Sequence, residues 1–181
     1  MPLYFIAIIA PDEVNQQVLE WKRYMLYRFN CKKALRLPAH ITLIPPFNMP
    51  SILEVPLGRS LEDFTRHQTA FSIYLKNFSA FAPRVIYVHV EPGVSLLQLK
   101  ADLEDLLLEN DLDLPKKEER PFQPHITIAS RDLKKGDFAA AQAYFSGRSC
   151  EAQFETGAVS LLRNAGERWE VVGEYPFGDL A

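Results

Sequence analysis

The sequence predicts an α+β fold with antiparallel sheets, and three observations carry that expectation. Period-two segments rich in aliphatic and aromatic residues recur along the chain, single amphipathic stretches separate them, and the regular strand–helix alternation of a parallel sheet is missing. The 181 residues are 48% apolar and 24% charged, with 12 Phe and 7 Tyr. That composition fits one compact unit of two lobes over residues 1–181 and excludes disordered, collagenous and low-complexity classes.

The opening Leu3 to Ile9 is short, aromatic and β-branched, and Pro11-Asp12 stops it, so it reads as a buried strand. Asp12 then reads as the N-cap of a helix in which Val14, Val18, Trp21, Met25 and Phe29 recur at steps of three or four. Leu37 to Ile44 has strand character, Ser60 to His67 reads as a short helix, and Ala70 to Phe78 and Arg84 to Val90 read as strands. From Ser95 to Asn110 the stripe Leu96, Leu99, Leu103 and Leu106 predicts a helix with its acids facing elsewhere. Gln123 to Ser130 is the next strand. An alanine-rich helix from Asp137 to Phe145 ends before Gly147, read as its C′ residue. Gln153 to Leu162 and Arg168 to Tyr175 are the last strands, joined by the hairpin turn Arg163-Asn164-Ala165-Gly166-Glu167.

The net charge of -3 argues against a non-specific duplex-DNA binder, which needs a broad phosphate-neutralising surface. Cys31 and Cys150 are too few and too far apart for a disulfide framework or a zinc ribbon, so reduced thiols in a cytoplasmic protein are expected. Leu3 to Ala10 lacks the basic flank and length of a signal peptide, and no stretch approaches the roughly 18 apolar residues of a membrane span. Charge is nevertheless uneven. Trp21 to Arg36 holds Lys22, Arg23, Arg28, Lys32, Lys33 and Arg36 with no acid, while Ala101 to Leu114 holds Asp102, Glu104, Asp105, Glu109, Asp111 and Asp113 with no base. Solvated helix faces explain such runs as well as function does.

The basic run leads into Pro38-Ala39-His40-Ile41-Thr42-Leu43, and the chain repeats the pattern as Gln123-Pro124-His125-Ile126-Thr127-Ile128. At this composition one His-Ile-Thr is expected roughly 0.006 times by chance, so two copies are not accidental. On a strand, residues i and i+2 share a face. His40 therefore points with Thr42 and His125 with Thr127, while the intervening isoleucines face the core. If the 85-residue offset reflects a duplication, an approximate two-fold axis gathers two imidazoles and two hydroxyls around one cleft. Those parts suit phosphoryl transfer: a neutral imidazole takes a proton, a protonated one gives a proton, and hydroxyls ligand the phosphoryl oxygens. A lone strand histidine or threonine is ordinarily structural, so the repetition carries the functional reading. His67 and His89 have no such partner; His67 reads as a helix-end surface residue, and His89 shares a face with Tyr87.

The two motifs, the strand Leu3 to Ile8, the segment Pro83 to Val88 and the ending Val159 to Arg163 with Trp169 to Val172 together resemble the 2H phosphoesterase superfamily, in particular its 2′-5′ RNA ligase-like branch. The resemblance spans essentially the whole chain. It implies a bilobal fold with pseudo-two-fold symmetry, an antiparallel sheet in each lobe, helices outside and a central cleft holding both motifs. It implies chemistry without metal or cofactor on 2′,3′-cyclic phosphate or 2′-5′ phosphodiester ends of RNA or small nucleotides, by a monomer with no membrane partner. On this resemblance His40 and His125 are the acid/base pair and Thr42 and Thr127 the phosphate ligands.

Further candidates come from strand parity. If the strands continue, Arg36 shares a face with His40 and Arg131 with His125, and either guanidinium can clamp a phosphate; Arg163 beside the final turn is a third. Phe47, Tyr87 and Phe122 are candidates for stacking on a base. Three other readings stay open: a small cyclic-nucleotide phosphodiesterase, a nucleotide- or phosphate-binding module without turnover, and a metallohydrolase, which lacks a motif for its third ligand.

Overall fold

The computed structural model describes residues 1–112 and 121–178. In chain order the elements are β1 (Leu3–Ile9), α1 (Asp12–Phe29), β2 (His40–Asn48), α2 (Glu54–Arg66), β3 (Phe71–Phe81), β4 (Val85–Val90), α3 (Val94–Glu109), β5 (His125–Ala129), α4 (Lys135–Ser146), β6 (Glu151–Thr156), β7 (Ala158–Asn164) and β8 (Trp169–Pro176). One antiparallel sheet has the order β2-β1-β7-β8 and the other β5-β4-β3-β6. The last two positions of the acidic run, Asp113 and Leu114, lie outside the described residues.

The pseudo-symmetry is visible in the registers. Ile9 pairs with His40 and Ala7 with Thr42 across β1 and β2, as His89 pairs with His125 and Tyr87 with Thr127 across β4 and β5. The peptide before each histidine is tied alike: the Ala10 N–H donates to the Ala39 carbonyl at 2.9 Å, and the Val90 N–H to the Pro124 carbonyl at 3.3 Å. Each unit is strand, helix, strand, with α1 or α3 as the helix.

The opposite parity supplies the core. Ile6, Ile8, Ile41 and Leu43 in one sheet, and Ile86, Val88, Ile126 and Ile128 in the other, are fully buried within one continuous cluster. Val14, Val18 and Met25 of α1 and Leu96, Leu99, Leu103 and Leu107 of α3 cover them. Burying such side chains contributes about 1.5–3 kcal/mol each, which fixes strand parity and with it the direction of every histidine and threonine.

The structure corrects several sequence expectations. Gln153 to Leu162 is two strands: β6 ends at Thr156 on β3, and after Gly157 alone β7 begins in the other sheet beside β1. The period-two pattern runs unbroken through the crossing, so nothing in it marks the change of sheet. Pro11, in extended conformation, is the N-cap of α1, and Asp12 lies inside the first turn, where its charge favours the helix dipole. Helix α2 begins at Glu54 because Pro56 sits in its first turn, where no N–H is needed. Gly147 is a C-cap with φ of −80°, outside the left-handed region. The segment before His40 is a 3-10 turn, Lys33–Arg36, and Leu37 to Ala39 are not strand. Cys31 and Cys150 are buried and unpaired, and no helix among the described residues is long and apolar enough to cross a membrane.

Candidate active site

Strands β2 and β5 are the edge strands of their sheets and lie against each other. Both motifs therefore meet at the seam between the lobes, each on the face away from the helices.

His40 opens β2. Its Nδ1 lies 2.8 Å from the Pro38 carbonyl, which only accepts, so Nδ1 carries a proton and Nε2 is the bare nitrogen. His125 repeats the arrangement, with Nδ1 2.7 Å from the Gln123 carbonyl. Neither Nε2 has a hydrogen-bond partner among the described residues. Rings back both imidazoles: Phe5 lies 5.5 Å from His40 and is itself met edge-on by Trp169, while Tyr87 and Phe81 each lie 5.1 Å from His125.

Thr42 and Thr127 are half-buried, and neither hydroxyl is hydrogen-bonded among the described residues. Elsewhere buried threonines bond to backbone: Thr65 to the Glu62 carbonyl and Thr156 to that of Ala158. The two motif hydroxyls are left free for a ligand.

Burial pushes the proton affinity of His40 down to about 4. The Pro38 hydrogen bond opposes that shift, and the charges of Lys22 and His125 add to it. Burial also lowers His125, again against its carbonyl hydrogen bond. Without a ligand both imidazoles are neutral at pH 7, and an anion between them restores proton affinity.

Residues 10–168, a span that holds both motifs, match the family described as the 2′-5′ RNA ligase superfamily. The chain belongs to that superfamily.

This superfamily member is similar to a Bacillus pumilus (strain SAFR-032) protein named provisionally as a phosphoesterase, 30% identical over 127 residues, which are 69% of this chain and 68% of that one. It is also similar to an RNA 2′,3′-cyclic phosphodiesterase of Geobacillus stearothermophilus, 25% identical over 189 aligned positions. That match covers 96% of this chain and 56% of the relative, so the chain spans little more than half of that protein's length. Among solved structures, E. coli LigT complexed with 3′-AMP superposes with a TM-score of 0.70 at 18% identity, over 99% of this chain and 100% of that one. TT0787 of Thermus thermophilus gives 0.67 at 20% identity, over 100% of both. At these identities the likeness is one of fold.

The secondary candidates of this 2′-5′ RNA ligase superfamily member are placed unevenly. Arg36 ends the 3-10 turn and Arg131 lies beyond the end of β5, so neither inherits the strand parity that nominated it. Both are exposed at the seam and form no ion pair among the described residues. Arg163 points the other way: it pairs with Tyr4 across β1 and β7, and its guanidinium bonds the Glu54 carboxylate of α2 at 2.8 Å, which also accepts the Tyr4 hydroxyl. That cluster is on the helix face, opposite His40. Phe47 is buried in the core and stacked on Tyr4, with no face left for a base. Phe122 is covered by the Lys100 ammonium 5.0 Å from its centroid. Tyr87 is at the site but buried, forming a wall beside His125. His89 is half-buried, directly opposite His125, and His67 ends α2 with Nδ1 2.9 Å from the Asp63 carbonyl.

Three supporting residues are not among the site candidates that the sequence motifs nominate. Asn15 of α1 accepts the Ala39 N–H at 2.8 Å; Pro124, at the matching place, has no N–H to satisfy. Lys22 is buried, and its ammonium donates to the Leu37 carbonyl at 2.9 Å. Asp132 Oδ2 accepts the N–H groups of Lys32 and Lys33, tying the segment after the second motif to the segment before the first.

Proposed function

We propose that this chain is a phosphoesterase that acts on 2′,3′-cyclic phosphate or 2′-5′ phosphodiester linkages at RNA ends, by acid–base catalysis between His40 and His125. The observation that carries this reading is the matched pair of imidazoles, each anchored through Nδ1 with Nε2 unbonded, and each followed two residues later by an unbonded threonine hydroxyl. The names of the relatives support the reaction class.

In the hydrolytic direction one Nε2 takes a proton from water as its oxygen attacks phosphorus. The other imidazole, protonated once the anion is bound, gives its proton to the departing ribose oxygen as the P–O bond breaks. The products are a phosphate monoester and a free ribose hydroxyl. In ligation the hydroxyl of a second ribose takes the place of water: the base takes its proton, its oxygen forms the new P–O bond, and the acid protonates the ribose oxygen that leaves the cyclic phosphate. Thr42 and Thr127 donate to non-bridging oxygens, whose charge grows in the pentacovalent transition state. The two imidazoles account for every proton moved and the two hydroxyls meet the growing phosphoryl charge, so activity is expected to persist in excess EDTA. Exposed Arg36 and Arg131 beside the seam favour an RNA end over a mononucleotide, because further phosphates find cations there. The chain acts as a single two-lobed domain and a monomer, since one copy supplies both motifs, in the reducing cytoplasm that suits its two buried thiols.

The test is a panel of 2′,3′-cyclic mononucleotides, RNA oligomers ending in cyclic phosphate, and 2′-5′ dinucleotides. Turnover of the cyclic-phosphate or 2′-5′ substrates, with oligomers preferred, is the expected result. Saturable binding without product on every member would overturn it in favour of a binding module.

A further inference from the structure

Lys22 occupies a position where the helix pattern calls for an apolar residue. Its neighbours on the buried stripe of α1 are Val14, Val18 and Met25, and the corresponding stripe of α3 is leucine throughout. The side chain is 3% exposed. Its ammonium has one acceptor, the Leu37 carbonyl, and no carboxylate partner among the described residues. An ammonium buried without counter-charge is unfavourable, and burial lowers its proton affinity to about 8. Packing alone does not account for a lysine here.

The location of that acceptor matters. Leu37 precedes Pro38, whose carbonyl orients His40 through Nδ1, and Ala39 on the other side is held by Asn15. Helix α1 thus grips both flanks of the peptide that aims the first imidazole. The charged groups facing His40 are Lys22 from α1 and His125 from β5; β1 contributes only Phe5 and Ile9. The second motif has no equivalent. His125 is anchored by the Gln123 carbonyl, Pro124 lacks an N–H, and burial is the only influence that lowers it.

We propose that Lys22 is a positioning residue of the first motif: it fixes the Leu37–Pro38 peptide that aims His40, and it keeps a positive charge behind that imidazole alone. The two histidines of a symmetric pair are thereby made chemically unequal. This inference rests on the acid–base reading of the site.

The experiment compares wild type, Lys22→Met and Lys22→Gln. Met removes both the charge and the donor at similar length; Gln retains a donor for the Leu37 carbonyl and is the second variant should Met fail to fold. Proton NMR of the imidazole C2–H signals follows each histidine from pH 3 to 9 without any substrate. His40 is expected to titrate roughly half to one pH unit higher in both variants, with His125 unmoved. On a 2′,3′-cyclic mononucleotide, kcat is expected to fall on the order of tenfold at nearly constant KM, less in Lys22→Gln, with the acid limb of the profile displaced upward. A His40 titration unchanged in whichever variant folds, or an equal displacement of both histidines, would overturn the assignment. A wild type that turns nothing over would defeat the phosphoesterase reading, while the titration would still judge Lys22.

Discussion

One side chain bridges the loops that flank the seam between β2 and β5, and its removal has a calculable effect. Asp132 Oδ2 accepts the Lys32 N–H at 2.5 Å and the Lys33 N–H at 2.9 Å. These bonds join the loop after the second histidine strand to the turn before the first. Asp132→Ala deletes both. A hydrogen bond to a charged acceptor contributes about 1.5–3 kcal/mol, but these N–H groups are exposed and water replaces the lost partner, so about 1 kcal/mol each is the appropriate figure. The other oxygen, Oδ1, is buried with no partner, and removing it relieves a small cost. The net expectation is about 1–2 kcal/mol of destabilisation, a melting-point loss of roughly 3–6 °C for a chain of this size. Asp132→Asn keeps an acceptor oxygen without its charge and should lose about half as much. On the proposed mechanism the acid and base stand on different strands, so loosening the seam should also lower kcat/KM by roughly tenfold. Calorimetric melts and initial rates on a cyclic-phosphate substrate measure the two effects. An Asp132→Ala protein that melts within about 1 °C of wild type and turns over normally would show that the clasp holds nothing.

Three further predictions concern the site. His40→Ala and His125→Ala should each lower turnover by about 10²–10⁴, and the double variant by much less than the product, as steady-state rates with circular-dichroism controls will show. Stability should fall in acid. Because His40 binds its proton near 4 when folded and at its ordinary 6.5 when unfolded, the unfolded state holds the extra proton between those values. Stability is therefore complete above about 6.5 and declines as pH drops towards 4 by roughly 3 kcal/mol, and urea melts of His40→Gln should show a flatter acid slope. Arg36→Ala and Arg131→Ala should raise KM for oligonucleotides more than for mononucleotides and lower the salt dependence by about one ion each, as rates across a salt series will test.

What was legible in the sequence was whatever a local period encodes. Strand parity alone sets His40 with Thr42 and His125 with Thr127, and the apolar partners needed to enforce it, Ile41 and Ile126, lie within the same motifs. The helix stripes of α1 and α3 are equally local. Parity failed where it was extended past the strands. The 3-10 turn at Lys33–Arg36 breaks the count to Arg36, and the end of β5 breaks the count to Arg131. Arg163 was nominated by closeness to a turn, but its direction is set by Glu54, 109 residues earlier in the chain, and no local pattern reveals that partner. Gly157 hands the chain between sheets for a reason equally non-local: β3 and β1 compete for the two halves of one alternating segment.

The supporting residues were hidden for a different reason. Lys22 stood inside a run of six cations, and a run reads as a solvated face although its members need not share one. At positions 18, 22 and 25 the helical step places the lysine between Val18 and Met25, on the stripe that the structure buries. A charge in register with an apolar stripe is thus a sequence-level signal for a buried ion, and the matching stripe of α3, free of charge, marks it as asymmetric. Symmetry of the two motifs supplies two equivalent imidazoles, yet proton transfer between water and a ribose oxygen needs one to accept while the other donates. Identical surroundings would leave that choice to the substrate. Support that differs between lobes, with Asn15 and Lys22 behind His40 and the amide-free Pro124 before His125, makes the surroundings of the two imidazoles unequal before any substrate arrives.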